Sequence, residues 1–500
     1  MTPATPSTLL APFGDRAARF VVPAGAARRR LLAELSAISG VRDVVLAEEI
    51  GCVVFDESPS VGAAREAIER LLARSDRPAS EDAGATHAIR VVYDGDDLES
   101  VAAAIGQSKE SVVALHSAAE YRVAMLGFLP GFAYLRGLPR ELCLPRRAPR
   151  PRVPANSVAI AAEYGGVYPF PSPGGWHLLG RATGFEAFGA RGAALAIGDV
   201  VRFVPAPRDE IEPAPTRTPP AASSKAPLDR PHLEITRAAA IALLVDGGRA
   251  GRMHEGVPPG GPLVRSLLAR ANEHAGNPSD ACGVEIYGTI QVTARVGPVT
   301  IADDASGPIT LREGEQHVVS TEGRMRARYL ALAGGVDAPV VLGSRGALLV
   351  AGIGGVLRRG DRLAPDPGGS PRQPRGSGRA ELAPDAPIPI LPGPDAADVA
   401  LDDLARHDLR IAAASDRTGT RLEGPSLARR SSDAPAGSAM SRRSTPMVMG
   451  AIELTPSGLI VLGPDHPTTG GYPVVALVPS SFLDGLFARP IGSAVRFAMT

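Results

Sequence analysis

LGFLPGFAYLRGLPRELCLPRRAPRPRVPANSVAIAAEYGGVYPFPSPGGWHLLGR occupies residues 126–181 and holds the only tryptophan of the chain, Trp176. Here helical periodicity gives way to short β-runs punctuated by glycine and proline. Gly127-Phe128-Leu129-Pro130-Gly131-Phe132 and Pro173-Gly174-Gly175-Trp176 each set Gly beside Pro, the pairing that fixes tight turns and lets backbone approach a ligand. Between them, residues 158–162 read as a short buried strand. Taken singly these residues describe two well-packed turns; taken together they describe the wall of a site.

Upstream, residues 18–94 alternate strand and helix patterns. Residues 19–22, 41–47, 51–55 and 89–93 read as strands. Residues 26–38 read as a helix, and Val61–Arg74 as an amphipathic one with Ala64, Ala67, Ile68, Leu71 and Leu72 on one face. That βαββαβ order predicts a ferredoxin-like α+β unit over 1–94. Acidic caps from Asp96 open one helix and a second covers 108–116, ending at His116. A histidine at a helix end serves as a cap or as a catalyst.

The chain has 500 residues, more than one core usually organises, so two to four domains are expected. With 53 basic and 53 acidic residues the formal charge is zero, which argues against a broad nucleic-acid or anionic-membrane surface. Cys52, Cys143 and Cys282 lack the spacing of a zinc site or a disulfide framework. The start of the sequence lacks a signal-peptide pattern and no apolar run is long enough to span a bilayer, so a reducing cytoplasm is expected. Lys109 and Lys225 are the only lysines, and neither lies in a GxxxxGK[ST] loop, so ATP would have to be held by arginines, backbone N–H groups and metal-bound carboxylates. GxSxG, HExxH and clustered metal ligands are also missing, which excludes the corresponding hydrolases and predicts no resident metal site.

The motifs GFLPGFAYL, Pro145-Arg146, VPANS, Tyr168-Pro169 and SPGGW closely resemble the family of allophanate hydrolase subunit 1 and the 5-oxoprolinase B-type subunit, which includes the Kip kinase inhibitors. Asn156 stands where that family has Gly. Tyr93-Asp94-Gly95-Asp96-Asp97-Leu98, His116-Ser117 and Tyr121-Arg122-Val123 extend the likeness, and it implies a functional His116. After a Pro/Ala/Ser-rich linker at 206–231, the sequence resembles the family's partner component, of type 2 or C: GVPPGG at 256–261, Ala271-Asn272, Gly276-Asn277-Pro278, Glu285, YLALAGG at 329–335, LGSR at 342–345, SDR at 415–417 and DHPTTGGYP at 465–473. The chain therefore resembles a B–C fusion. IGDVVRF at 197–203 recurs as IGSAVRF at 491–497, each after a Gly-rich segment with Tyr-Pro, which favours two related barrels. The resemblance implies a mainly β chain: the α+β unit, a cyclophilin-like barrel over 95–205, and a second over 232–500 with low-complexity insertions near 365–387 and 424–446.

Asp465-His466-Pro467-Thr468-Thr469-Gly470-Gly471-Tyr472 gathers a carboxylate, an imidazole and two hydroxyls in one tight segment. Such a loop either binds phosphate or carboxylate oxygens, with Asp465 as base or metal ligand, or is a turn bonded to its own backbone. Glu285 reads as a base or as a member of a buried ion pair, and Asp416-Arg417 as a structural pair. With the resemblance, the candidate catalytic residues are Asp465, His116 and Glu285. Candidate binding residues are Phe128, Pro130, Gly131, Phe132, Arg146, Tyr168, Gly174, Gly175, Trp176, Asn272, His466, Thr468, Thr469, Gly470, Gly471 and Tyr472. Val264 replaces the family's customary Asp, removing any proton or metal role there. The implied activity is that of an ATP- and Mg-dependent 5-oxoprolinase component, opening a lactam with a separate A-type (LamB/YcsF-like) subunit. The alternatives are a urea carboxylase-type carboxyltransferase served by biotin in trans, and a Kip-like regulator of a histidine kinase.

Overall fold

The computed structural model describes residues 9–23, 27–57, 61–74, 84–210, 229–369, 386–399, 401–425 and 443–499. Four sheets account for most of the chain. The first is antiparallel in the order Ala11–Pro12, Ala17–Val21, Ile50–Phe55, Val41–Leu46, with helices Arg28–Ser36 and Val61–Arg74 beside it. Leu31, Leu35, Ala64, Ile68 and Leu72 form the helices' buried faces, as the apolar spacing requires.

One strand departs from the βαββαβ reading. Thr86–Val92, the expected last strand of that unit, instead lies parallel to Val200–Pro205 and antiparallel to His177–Thr183. There it completes a closed barrel in the order Tyr164–Val167, Ala133–Arg136, Glu120–Leu126, Val200–Pro205, Thr86–Val92, His177–Thr183, Ser157–Ala161. Closure gives every strand two partners and leaves no free edge, so the boundary of the first unit falls before Thr86.

Residues 232–369 also depart from expectation. They form a sheet of their own, centred on His232–Val245 and Gly283–Arg295, with helix Arg265–His274 packed on Arg328–Leu332 and Val299–Asp303. The second barrel starts only at Ile388. Its strands run Leu409–Ile411, Gly419–Glu423, Gly458–Leu462, Ala451–Thr455, Val474–Leu477, Ile388–Pro392, and its two ends are Ala494–Val495 and Phe497–Met499. Only Arg496 separates those end strands, so this sheet closes on itself as the first does.

The two barrels share one strand order. The recurring IGDVVRF and IGSAVRF segments are the same strand: Val200–Pro205 pairs parallel with Thr86–Val92 and antiparallel with Glu120–Leu126, while 494–499 pair parallel with Ile388–Pro392 and antiparallel with Leu409–Ile411. A second correspondence was not evident in the sequence. Leu178 N–H donates to Asp97 Oδ2 at 2.8 Å, and Val474 N–H donates to Asp395 Oδ2 at 2.8 Å. The Gly-Gly turns match as well. Ser172–Gly174 pairs with Arg150–Val153, and Thr469–Gly470 pairs with Thr445–Pro446.

That last pairing shortens the expected insertion at 424–446, since 443–446 are part of the fold; 426–442 lie outside the described residues. Likewise Asp366 holds Arg345 at 2.6 Å, and only 370–385 of the other insertion lie outside. Of the expected linker, 211–228 lie outside, while Arg208–Glu210 forms a helical turn. The three cysteines are free. No described helix is long and apolar enough to cross a membrane.

Val264 sits at the N-cap of helix Arg265–His274 and is wholly buried in the second barrel's core cluster, with no side-chain cap. The orphan donors of that helix end are met from elsewhere: Asp484, on helix Ser480–Phe487, accepts from Arg265 N at 2.9 Å and Ser266 N at 2.7 Å. Capping of this helix end is thus supplied by an acid brought in by tertiary packing. Asp484→Ala is expected to lower stability by about 1 kcal/mol, seen as a lower urea midpoint with unchanged slope.

Candidate active-site cleft

The tryptophan turn and the double-threonine loop meet across one cleft of ≈ 320 Å³, walled by both barrels. Phe132 centres the first wall, with Phe128, Tyr134, Tyr168 and Trp176 edge-on around it at ring-centroid distances of 5.1 to 5.5 Å. Edge-to-face stacking fixes such rings firmly. Gly174 is required here because a Cβ would lie 2.4 Å from the Tyr168 hydroxyl. Gly175 O accepts from Arg147 N at 2.8 Å, tying the turn to the arginine segment.

Across the junction, Phe128 has φ +66°, an outlying conformation for an aromatic residue that stores roughly 1–3 kcal/mol of strain. Its N–H donates to Thr469 Oγ1 at 3.1 Å, and a Cβ on Gly127 would overlap the Thr469 side chain. The two motifs therefore hold each other in place. Tyr134 Oη lies 3.4 Å from Ser444 Oγ, a further hydroxyl pair spanning the halves.

Two ionisable groups in the cleft are uncommitted among the described residues. Arg147 is bound by Asp97, and Arg150 pairs with the same carboxylate at 2.6 Å. Arg146 lines the cleft and has no hydrogen bond or ion pair among the described residues. Glu453 lines the opposite side, is 5 % exposed, and has no side-chain partner among the described residues. Burial pushes its carboxyl up to about 7. A register shift between Ile452 and Glu453 leaves Val475 as an extra residue on the facing strand, a bulge directly opposite Glu453. Gly470 leaves it space, since a Cβ there would be 3.0 Å from Glu453 Oε1.

Of the candidates read from the sequence, Phe128, Phe132, Arg146, Tyr168, Gly174, Gly175, Trp176, Thr469, Gly470, Gly471 and Tyr472 line this cleft. Pro130 and Gly131 shape the turn behind it, where Gly131 N donates to Glu255 O at 2.8 Å. Thr468 is fully buried, its carbonyl accepting from Met447 N.

The three residues expected to be catalytic do not line the cleft. His116 is fully buried in the first barrel, stacked on Phe203 at 4.6 Å, with Nδ1 2.8 Å from Tyr93 Oη. Burial holds it neutral, with its pKa down at about 3. Asp465 and Glu285 are bound to one buried guanidinium: Arg417 Nε and Nη2 reach both Asp465 oxygens at 2.8 and 2.9 Å, and Nη1 reaches Glu285 Oε1 at 2.6 Å. Glu285 also accepts from Tyr287 Oη, Tyr329 Oη and Leu263 N. Glu285 thus accepts four bonds, and Asp465 is clamped in a bidentate pair with the guanidinium. Asp416 does not pair with Arg417; it accepts from Thr418 N and Gly419 N in the adjoining turn.

Asn272 binds the carbonyls of Ser279 and Ala281 and accepts from Asn277, fixing the loop after its helix. His466 belongs to another cavity, between the first sheet and the second barrel. The site residues missed in the sequence are Glu453, Tyr134 and Ser444. For Glu453 the available signal was a lone acid inside AIELT, a strand buried along its whole length.

Two outcomes follow from these charges. Arg417→Met leaves two carboxylates buried without their cation and is expected to destabilise by about 3–5 kcal/mol, measured by chemical denaturation. For Glu453, the native state keeps its proton to about pH 7 whereas the unfolded chain releases it near the ordinary 4.5. The native state therefore binds more protons within that window, and stability falls as pH rises through it. Wild type should lose on the order of 3 kcal/mol relative to Glu453→Gln between those limits, read from denaturation midpoints across pH.

Comparison with known proteins agrees with this division of the chain. A family model described as carboxyltransferase domain, subdomain C and D, matches residues 1–193, and one described as carboxyltransferase domain, subdomain A and B, matches residues 255–499. The chain is 52% identical over 124 residues to the 5-oxoprolinase B-type subunit of Escherichia coli O157:H7, covering 23% of this chain and 56% of that protein. It is 29% identical over 289 residues to the 5-oxoprolinase C-type subunit of Escherichia coli K12, covering 53% of this chain and 90% of that protein. Its matches span 51 to 57% of the length of the B-type relatives. The crystal structure of TTHA0988 superimposes with a TM-score of 0.82 at 30% identity, over 97% of this chain and 99% of that one. The chain belongs to the carboxyltransferase-domain family, as a fusion of two halves that resemble the B-type and C-type subunits of 5-oxoprolinase.

Proposed function

We propose that this chain is the fused B–C component of a cytoplasmic, ATP-dependent 5-oxoprolinase and that the cleft between its barrels receives the lactam. The observation carrying this reading is the pairing, in one aromatic-walled cleft, of an arginine and a buried carboxyl that have no partners among the described residues. A five-membered lactam with a carboxylate matches those features: the ring lies on the aromatic wall, Arg146 takes the carboxylate, and Glu453 exchanges a proton with the amide. A carboxyl at about 7 is poised for that exchange near neutral pH. The hydroxyls of Tyr134, Ser444 and Thr469 supply polar groups that orient a small molecule in a largely apolar pocket.

A Mg–triphosphate does not suit this donor set, which offers one uncommitted arginine, no lysine and a single carboxyl that favours its neutral form. We therefore assign ATP and Mg to the separate A-type subunit, and no step here is routed through them. Both halves build the cleft, which favours an enzyme over a kinase regulator made from the first half alone. The family description favours a second reading, carboxyl transfer from a biotinylated carrier.

Co-expression with an A-type subunit should give ADP release and glutamate that depend on 5-oxoproline. Arg146→Ala should raise KM for 5-oxoproline about tenfold or more, and Glu453→Gln should lower kcat by roughly 10²–10⁴. No turnover with 5-oxoproline, or wild-type kinetics in both variants, would overturn the assignment. Carboxylation of urea by a supplied biotin carrier would select the second reading.

A further inference from the structure

We propose that Ser444 binds the carbonyl oxygen of the lactam, through a hydroxyl proton for which the protein supplies no acceptor. This inference rests on the 5-oxoprolinase reading of the aromatic cleft and names the residue that would select an amide ring there.

Three hydroxyls meet where the barrels join. Tyr134 comes from the first barrel, Ser444 and Thr469 from the second, and all three line the cleft. Tyr134 Oη lies 3.4 Å from Ser444 Oγ, and the Thr469 hydroxyl is its other hydrogen-bonding neighbour. Thr469 Oγ1 also accepts from Phe128 N at 3.1 Å, a link that runs one way because an amide N–H only donates. Beyond these, the three side chains make no hydrogen bond among the described residues.

Each hydroxyl brings one proton and two acceptor positions. The cluster therefore holds three protons but at most two links between its members, and whichever way the hydroxyls turn, at least one proton is left without an acceptor inside it. The rings around it offer none, since phenylalanine has no polar atom and the indole N–H of Trp176 is a donor only. Thr469 is 1 % exposed and Tyr134 4 %, whereas Ser444 is 9 % exposed, so the spare proton reaches the cleft most readily from Ser444. Pairing of the next residue, Thr445, with Gly470 fixes Ser444 beside the double-threonine loop.

A spare donor on an apolar wall calls for an acceptor on the bound molecule. The lactam carries two kinds of oxygen. Its carboxylate is matched by the guanidinium of Arg146, and its uncharged carbonyl by a neutral hydroxyl. A few convergent polar groups of this kind orient a small ligand in a largely apolar pocket, and a site built to bond a polar group rejects an analogue that lacks it. Tyr134, linked to both other hydroxyls, acts as a positioning residue for Ser444.

Titration of the full chain with 5-oxoproline, γ-butyrolactam and cyclopentanecarboxylate tests the assignment, followed by calorimetry and by the fluorescence of Trp176, the only tryptophan and part of the cleft wall. The butyrolactam keeps the ring amide without the carboxylate; cyclopentanecarboxylate keeps the ring and the carboxylate without the carbonyl. Ser444→Ala should weaken 5-oxoproline and γ-butyrolactam about fivefold or more and leave cyclopentanecarboxylate within about twofold of wild type, the last result also reporting an intact cleft. Ser444→Cys, which keeps the side chain's shape but is a weak donor, should behave in the same way. Unchanged 5-oxoproline binding in both variants, or equal weakening of all three ligands, would overturn the role of Ser444 and leave the lactam reading in place. Binding of none of the three by wild type would remove that reading and this inference together.

Discussion

Arg417 is the interaction on which the arrangement of the second half rests. Its guanidinium, 9 % exposed, reaches Glu285 on the central sheet, Asp465 at the start of the double-threonine loop and the carbonyl of Gly261 in the GVPPGG segment. Three stretches far apart in sequence are thereby fixed at one point. Charge buried so deeply is tolerable because the cation is paired with two carboxylates and a carbonyl through four hydrogen bonds. With Asp465 anchored, the residues that follow it are carried to the junction, where Thr469 meets Gly127 and Phe128. The cation thus acts on the loop that it positions.

The duplicated barrels explain why the cleft is asymmetric. Ala159 and Glu453 occupy matching positions: Leu178 pairs with Ala159 and Val474 with Glu453, each beside a register shift in the same place. In the first barrel that position is apolar and packs into the aromatic wall; in the second it carries the ionisable group. One copy of the repeat supplies an apolar wall and the other an ionisable side chain. The Pro-Gly turn and the double-threonine loop are likewise matching elements, which is why they face each other across the junction.

Much of this was legible in the sequence where local backbone chemistry decides the outcome. The turns at 127–132 and 173–176 announced themselves because only glycine fits where Tyr168 and Thr469 press on the backbone. The IGDVVRF repeat gave the barrel duplication for the same local reason. Long-range pairing was not legible. Thr86–Val92 has the pattern of a strand in either sheet, and only its registration with Val200–Pro205 assigns it. His116, Asp465 and Glu285 have reactive side chains, but their partners (Phe203, Tyr93 and Arg417) come from distant segments and neutralise or saturate them. Glu453 was hidden for the opposite reason: its strand looks ordinary, and what distinguishes it is the lack of a side-chain partner among the described residues.

Placing both barrels on one polypeptide changes how the junction assembles. When the two walls of a cleft belong to separate molecules, the fraction assembled falls with dilution; here the encounter is intramolecular and the fraction is set by an effective local concentration. The contact between Phe128 and Thr469 can therefore be modest in area and carry local backbone strain, yet remain closed at protein levels where two loose polypeptides would drift apart.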